Sequence, residues 1–177
     1  MGKSFRYIFI LASILNILTP ITNAQTSGFF NQIEKKAYSP GESIEAFVEF
    51  IPGRAEANSF VALKLWGRVA EGYHIYSIRS QGEYSPEPTR LIIETSPLTV
   101  HEALTESETV WVEDEAFGER LKVHKNDFWL KRVYKVKDNQ KPGVYSINGS
   151  LIFQICDRKI CSLPISKRFS AQLEIIN

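Results

Sequence analysis

Residues 60–69, FVALKLWGRV, decide the fold class of this chain of 177 residues. Apolar side chains alternate along one side of the stretch, at Val61, Leu63, Leu65 and Val69. This period of two is typical of a strand that buries one face. Residues 128–136, FWLKRVYKV, alternate in the same way and are rich in aromatic and β-branched residues, which favour strands. Both stretches are therefore predicted to be strands with one face in a core.

Further strands are predicted between turn signals along the chain, such as those at 52–53 and 141–143. They cover residues 43–51, 73–77, 91–94, 110–112, 144–156 and 162–176, with a loop at 81–88 and an acidic turn at 113–115. Seven to ten short strands in one domain favour an all-β fold, an immunoglobulin-like antiparallel β-sandwich. The pattern also admits a short helix over residues 31–36.

The first residues have the pattern of an export signal. Lys3 and Arg6 precede the apolar run 7–21, which is shorter than the roughly 20 residues that span a bilayer. Small or short side chains at 22–24 then offer a cleavage site near Ala24. We therefore predict a signal peptide over residues 1–24, a single mature domain over residues 25–177, and a periplasmic location.

The composition limits the class of partner. The 21 Lys and Arg residues nearly balance 20 Asp and Glu residues, and there is no long basic run, so nucleic acid is not expected as a partner. No later apolar stretch approaches membrane-spanning length, so the mature protein is expected to be a soluble monomer. No serine-hydrolase signature, phosphate-binding glycine loop or nucleotide fingerprint is present in the sequence.

The chain has two cysteines, Cys156 and Cys161. The apolar stretch 151–153 precedes them, residues 157–160 separate them, and Ser162-Leu163-Pro164 follows. This order predicts two adjacent strand ends joined by a short connection, which would bring the sulfurs close enough to bond. In an exported protein such a bond can persist.

Two readings of the cysteine pair remain open. A structural bond that closes so short a loop would stabilise the fold by only about 2 kcal/mol, and a chain of this length can bury a core of its own. Arg158 and Lys159 between the cysteines would favour the thiolate, the form that attacks and leaves in exchange. Thiol–disulfide exchange is therefore favoured over a structural brace in a non-enzymatic, protein-binding sandwich module.

Metal binding is a third reading, in which the pair serves soft-metal delivery to an exported oxidase. A zinc site needs four ligands, and none of the three histidines, His74, His101 and His124, has ligand spacing with the cysteines. No metal and no organic cofactor are therefore expected.

Three segments carry a resemblance to a known family. They are EGYHIY at 71–76, VWVEDEAFG at 110–118, and the cysteine segment 153–164, FQICDRKICSLP. In their order they resemble the N-terminal periplasmic domain of the thiol:disulfide interchange protein DsbD, a protein-disulfide reductase. The resemblance extends over nearly the whole mature chain. It implies an immunoglobulin-like domain that is reduced by a thioredoxin-like donor and then reduces thioredoxin-like exported partners.

The resemblance also implies roles for particular residues. Cys161 corresponds to the cysteine that forms mixed disulfides with partners, and Cys156 to the resolving thiol. The resemblance also implies five supporting residues. They are two aromatic side chains beside the pair (His74 and Tyr76), two acids that approach it (Asp114 and Glu115), and one residue that caps it (Phe117). A reductase component without its own membrane segment is expected to take electrons from a separate protein.

Alternatives to these roles stay open at the level of sequence. Tyr76 could be a core aromatic, His74 a surface histidine, and Asp114 with Glu115 an exposed turn, while Trp111 is expected in the core.

The chain also departs from the family pattern. Ala116 stands where the family has an aromatic residue, with Phe117 next. The cysteine spacing is one residue tighter than in the best-known member, and Leu163-Pro164 replaces a double proline. The cap is therefore expected either to shield the disulfide by a shifted contact or to shield it less completely, and the partner specificity is left open.

Overall fold

The computed structural model describes residues 40–79, 86–93 and 97–177. The predicted signal peptide, the stretch 31–36 and most of the loop 81–88 lie outside the described residues. Within the described ranges there are β-strands and one 3-10 helix, Pro40–Ser43, but no α-helix. No helix in these ranges is both long enough and apolar enough to cross a membrane.

Thirteen strands follow one another along the described part of the chain. They are β1 (Ile44–Ile51), β2 (Arg54–Glu56), β3 (Phe60–Val69), β4 (His74–Tyr76), β5 (Arg90–Ile93), β6 (Leu98–Val100), β7 (Thr105–Glu106), β8 (Val110–Asp114), β9 (Glu119–His124), β10 (Asp127–Val136), β11 (Gly143–Phe153), β12 (Ile155–Cys156) and β13 (Ile165–Ile176).

The strands form three sheets. The first has the order β1-β3-β10-β6, with β7 also paired to β10; the second has the order β2-β13-β11-β5. All pairs in them are antiparallel except β2 with β13. A third, smaller sheet has the order β12-β4-β9-β8 and is also antiparallel.

The first two sheets share one buried core. Every second side chain of β3 and β10 points inward, and these residues pack with those of β11 and β13: Leu63, Leu65, Leu130, Ile147, Leu151 and Leu173. The alternation at 60–69 thus forms the inner face of a central strand, as predicted. The prediction of an all-β, immunoglobulin-like antiparallel sandwich is confirmed.

Several predicted boundaries differ from the structure. The predicted strand 144–156 is divided at Gln154 into β11 and β12, and the last strand begins at Ile165 instead of 162. Of the predicted acidic turn, residues 113 and 114 still belong to β8. The pattern missed β9 because charged residues occupy half of its six positions.

Trp111 was wrongly expected in the core. It lies on β8 opposite the exposed Lys122 of β9 and is itself 52% exposed. Its ring is instead flanked by the cationic ends of Arg120 and Lys122, which lie 5.4 and 5.1 Å from the ring centroid. Such cation–π contacts tolerate exposure to water.

Candidate redox site

Cys156 and Cys161 form a disulfide bond. Cys156 ends β12, and the two residues form an antiparallel bridge at the base of a four-residue loop. Asp157 closes this loop by accepting hydrogen bonds from the backbone N–H groups of Lys159 and Ile160, at 2.7 and 2.8 Å. The predicted short connection therefore brings the sulfurs together, but only Cys156 ends a strand, because Cys161 lies in an isolated bridge before β13.

The two sulfurs differ in their access to solvent. Cys156 is fully buried, whereas Cys161 is only partly buried. The most exposed large apolar side chains beside them belong to Ile160 and Leu163, which are 72% and 85% exposed. The disulfide therefore has one inner sulfur and one outer sulfur, and exposed apolar side chains lie close to the outer one along the chain.

Strand β4 brings polar side chains to the sulfurs. It pairs with β12, with His74 opposite Cys156 and Ile75 opposite Ile155. Because neighbouring side chains of a strand point to opposite faces, Ile75 enters the main core while Tyr76 packs with Cys156 in a second, smaller cluster. The segment HIY thus places side chains on both faces of β4. Ile75 lies in the main core, and the aromatic groups of His74 and Tyr76 lie beside the disulfide.

The hydroxyl of Tyr76 lies at the centre of the site. Its oxygen is 2.9 Å from Sγ of Cys156 and 3.4 Å from Sγ of Cys161. It also lies 2.7 Å from Oδ2 of Asp114, to which it donates a hydrogen bond. One hydroxyl thus contacts both sulfurs and a buried carboxylate.

Asp114 ends β8 and is almost completely buried. Its Oδ2 also accepts a hydrogen bond from Nε2 of His74 at 3.0 Å, while its Oδ1 accepts from the backbone N–H groups of Ala116 and Phe117 at 2.9 and 3.2 Å. Burial by itself would raise the pKa of Asp114, but the hydrogen bonds from Tyr76, His74 and Phe117 outweigh it and hold the pKa below its ordinary value. Asp114 is therefore a carboxylate.

The neighbours of Asp114 are neutral. Burial lowers the pKa of His74, even though Asp114 favours the charged form. Burial also raises the pKa of Tyr76, and the hydrogen bond to Asp114 raises it further. Because a carboxylate can only accept hydrogen bonds, the hydrogen of the His74 ring is assigned to Nε2. A continuous chain of hydrogen-bonding groups therefore leads from His74 through Asp114 and Tyr76 to the inner sulfur.

A turn between β8 and β9 covers this group of side chains. Gly118 has a φ of 67°, a conformation that glycine adopts without steric cost, and its N–H donates to the backbone carbonyl of Asp114 at 2.8 Å. Phe117 is half-buried and meets the Tyr76 ring edge-on at a centroid distance of 5.8 Å. Ala116 is exposed. Phe117 thus contacts the ring of Tyr76 from this turn.

Glu115 lies on the outside of the same turn. It is exposed, and its Oε1 lies 3.2 Å from Nη2 of Arg158 in the cysteine loop. The ion pair joins the turn to the loop at the surface of the site. Arg158, which the sequence suggested would favour the thiolate, is paired with this carboxylate.

A cavity of about 480 Å³ lies beside the hydrogen-bonded chain. His74, Asp114 and Asp157 line it together with Trp111 and Lys125. Through this cavity the histidine end of the chain faces solvent. Within the described ranges, no group of three or more His, Cys, Asp or Glu side chains is arranged to hold a metal ion.

Sequence reasoning missed a second buried polar group behind β4. Glu106, in β7, accepts hydrogen bonds from Oγ of Ser77 at 2.6 Å, from the N–H of Ile78 at 2.9 Å and from Nε2 of His124 at 2.9 Å. The sequence around residue 106 is polar, and nothing in it distinguishes the partly buried Glu106 from the exposed acids on either side. The one available signal was the position of His124 directly after the apolar alternation of Leu121 and Val123.

No protein-family model matches the chain, and no curated protein matches it. Among solved structures, the fold is similar to the N-terminal domain of DsbD from Neisseria meningitidis in the reduced form, with 18% identity and a TM-score of 0.49, over 78% of this chain and 95% of that one. The N-terminal periplasmic domain of ScsB from Proteus mirabilis matches with 16% identity and a TM-score of 0.47, over 74% of this chain and 45% of that one.

The major pilin subunit BcpA of Bacillus cereus matches with 8% identity and a TM-score of 0.42, over 76% of this chain and 40% of that one. Identities this low indicate similarity of fold alone. Any inference about activity therefore rests on the geometry of the site. The similarity to the DsbD N-terminal domain that the three sequence motifs indicate is thus also found among solved structures.

Proposed function

We propose that this protein is an exported thiol–disulfide exchange protein, a component of a protein-disulfide reductase system. Its Cys156–Cys161 pair would carry electrons from a thioredoxin-like donor to oxidised exported proteins. One observation carries the proposal: the disulfide presents one sulfur to the surface, while the other is buried against the hydroxyl of Tyr76. The export pattern of residues 1–24 supports a periplasmic location for the domain 25–177, and the exchange needs no cofactor.

Reduction of the pair begins at the outer sulfur. A donor thiolate attacks Sγ of Cys161, a bond forms between these sulfurs, and the Cys156–Cys161 bond breaks with its electron pair on Cys156. A second donor thiolate then attacks the donor sulfur of this mixed disulfide. The donor leaves as a disulfide, and both cysteines of this chain are reduced.

The reduced pair passes its electrons on by the reverse steps. The thiolate of Cys161 attacks a disulfide of the acceptor and displaces one acceptor thiolate. Cys156 then attacks Sγ of Cys161 and releases the second acceptor thiolate. Cys161 is thus the attacking residue and Cys156 the resolving residue; the full burial of Cys156 and the partial burial of Cys161 support these roles.

Tyr76 has a role whenever charge develops on Cys156. Burial disfavours a thiolate at this sulfur, and a hydrogen bond from the Tyr76 hydroxyl, 2.9 Å away, offsets that cost. The hydroxyl has a single hydrogen, which it otherwise donates to Asp114. Because His74 and two backbone N–H groups also donate to Asp114, the hydroxyl can turn to the sulfur without leaving the carboxylate unpaired.

The surroundings of Cys161 favour a protein as the partner. Ile160 and Leu163, one residue before and two residues after Cys161, expose apolar surface, and a protein surface that docks there would remove this area from water. A small thiol would gain little from such contacts. His74, Asp114, Glu115 and Phe117 would support the exchange from the inner side and from the cap.

A trapping experiment tests the proposal. The Cys156→Ser variant, which has no second thiol to release the partner, is mixed with thioredoxin that keeps only its attacking cysteine, activated as a mixed disulfide with thionitrobenzoate, so that neither protein can resolve the adduct. The proposal predicts a one-to-one covalent adduct, and peptide mass spectrometry should locate the bond at Cys161. A matched Cys161→Ser variant should form no adduct. The absence of any adduct with Cys156→Ser, or an adduct through Cys156 in Cys161→Ser, would contradict the proposal.

A further inference from the structure

Glu106 connects the sandwich to the sheet that carries the redox site. Its backbone lies in β7, which pairs with β10 of the first sheet, with Glu106 opposite Leu130. The next residue, Ser107, strengthens this attachment through hydrogen bonds between its N–H and the Trp129 carbonyl and between its Oγ and the Trp129 N–H, at 2.9 and 3.1 Å. The glutamate is therefore fixed to the sandwich, while its side chain points to the third sheet.

The carboxylate of Glu106 holds two strands of that sheet. Oε1 accepts from the hydroxyl of Ser77, the residue directly after Tyr76, and Oε2 accepts from the N–H of Ile78. Oε2 also accepts from Nε2 of His124, which lies at the end of β9. The side chain is 14% exposed, and all three donors lie at 2.9 Å or less.

The carboxylate is held in its charged form. Burial by itself would raise the pKa of Glu106, but the hydrogen bonds from His124, Ser77 and Ile78 outweigh it and hold the pKa below its ordinary value. His124 is itself buried and stacks on the ring of Phe128, at a centroid distance of 5.1 Å. Hydrogen bonds to a charged group are among the stronger ones in proteins, so the end of β4 is firmly placed.

The position of β4 decides the contacts of the Tyr76 hydroxyl. That oxygen must lie within hydrogen-bond distance of Asp114, on β8, and of Cys156, on β12, at the same time. Hydrogen bonds weaken steeply when the distance or the angle departs from the preferred range. A small displacement of β4 would therefore remove the hydroxyl from the sulfur or from the carboxylate.

We propose that Glu106, through Ser77 and His124, is a positioning residue of the redox site, which holds the Tyr76 hydroxyl against Cys156. This inference rests on the proposed function and adds to it the residue that sets the geometry of the leaving sulfur. Glu106 itself touches neither sulfur. Its contribution to exchange acts through the hydroxyl.

The direction of the rate change separates positioning from simple support of the fold. If Glu106 only supported the fold, its removal would loosen the site, expose the disulfide and speed its reduction by a small thiol. If Glu106 positions Tyr76, its removal weakens the hydrogen bond to the leaving thiolate and slows the reduction. The rate of reduction of the purified oxidised protein by dithiothreitol therefore gives opposite signs for the two cases.

A double-mutant cycle with Tyr76→Phe tests the inference. Tyr76→Phe should slow reduction about tenfold, as expected for the loss of a hydrogen bond to a charged group, and Glu106→Ala about threefold. Because both act through one hydroxyl, the double variant should be about tenfold slower and not about thirtyfold slower. Additive effects, or a faster reduction in Glu106→Ala, would overturn the inference.

Two further variants keep the test decisive if Glu106→Ala does not fold. Glu106→Gln can accept from Ile78 and His124 through its carbonyl oxygen and meet the Ser77 hydroxyl with its amide, so its rate should stay within about twofold of the wild type. Ser77→Ala removes one of the three hydrogen bonds and should slow reduction by about twofold or more. An unchanged rate in Ser77→Ala would also overturn the inference.

Glu108→Ala is the matched control, because Glu108 is an exposed acid two residues further along the chain. Its rate should equal that of the wild type. Failure of the proposed function gives a different result: no mixed disulfide would form with thioredoxin in any variant, whatever the dithiothreitol rates.

Discussion

Tyr76 is the central residue of the candidate redox site. Its ring is buried in the small cluster around Cys156, and its hydroxyl contacts a carboxylate and both sulfurs. A buried polar group is costly unless it is hydrogen-bonded, so the position of this hydroxyl between Asp114 and the disulfide is strongly determined. A structural brace would need no such group beside its sulfurs.

Replacement of Tyr76 by Phe should slow exchange without loss of the fold. The ring remains, whereas the leaving thiolate of Cys156 loses its hydrogen-bond donor and no longer has a hydroxyl between it and the charge of Asp114. The rate of disulfide reduction by dithiothreitol should fall about tenfold. Tyr73→Phe is the matched control, since the Tyr73 ring lines the neighbouring cavity. Equal rates in Tyr76→Phe and the wild type would contradict a role for the hydroxyl.

His74 should make the stability of the protein depend on pH. Its pKa in the folded protein is lowered below the ordinary value of 6.5, so at and below that pH the unfolded chain binds the proton more readily. The free energy of unfolding is therefore highest above pH 6.5 and falls as the pH decreases from there. Urea unfolding at pH 7 and pH 5 should show a smaller decrease for His74→Gln than for the wild type, while His101→Gln, at an exposed position, should keep the wild-type decrease.

We expect the turn between β8 and β9 to limit access to the disulfide. Phe117 meets the Tyr76 ring edge-on and packs against the small cluster that contains Cys156. Phe117→Ala should therefore speed the reaction with small thiols severalfold and lower the free energy of unfolding by about 1–2 kcal/mol, less than for a fully buried phenylalanine. Ala116→Ser changes an exposed position of the same turn and should alter neither quantity. A slower reaction in Phe117→Ala would show that the ring does not act as a cap.

The elements that sequence could predict are those with a clear period. The stretch 60–69 is a strand with the predicted bounds, because its apolar residues alternate without interruption. Strand β9 could not be found in this way, because its charged residues hide the buried Leu121 and Val123. The motifs indicated the site residues around the cysteines. The hydrogen bond between Glu106 and His124 could not be predicted from them, because it arises only from the packing of distant strands.

The sandwich does not depend on the disulfide for its fold. The bond joins residues five positions apart in the chain and ties neither of the two large sheets to the other. Replacement of both cysteines by Ala should lower the free energy of unfolding by about 2 kcal/mol and leave the far-UV circular dichroism spectrum unchanged. Leu63→Ala, in the centre of the core, should cost about 2–5 kcal/mol. Complete unfolding of the cysteine-free variant would favour the structural brace.

The reduction potential of Cys156–Cys161 tests the central claim most directly. It is measured by equilibration of the purified protein with thiol buffers of defined potential, followed by alkylation of the free thiols and mass spectrometry. An exchange protein should have a value of roughly −180 to −270 mV, within the range of known exchange proteins. A pair that stays oxidised below about −300 mV would behave as a structural disulfide and would contradict the proposed electron transfer.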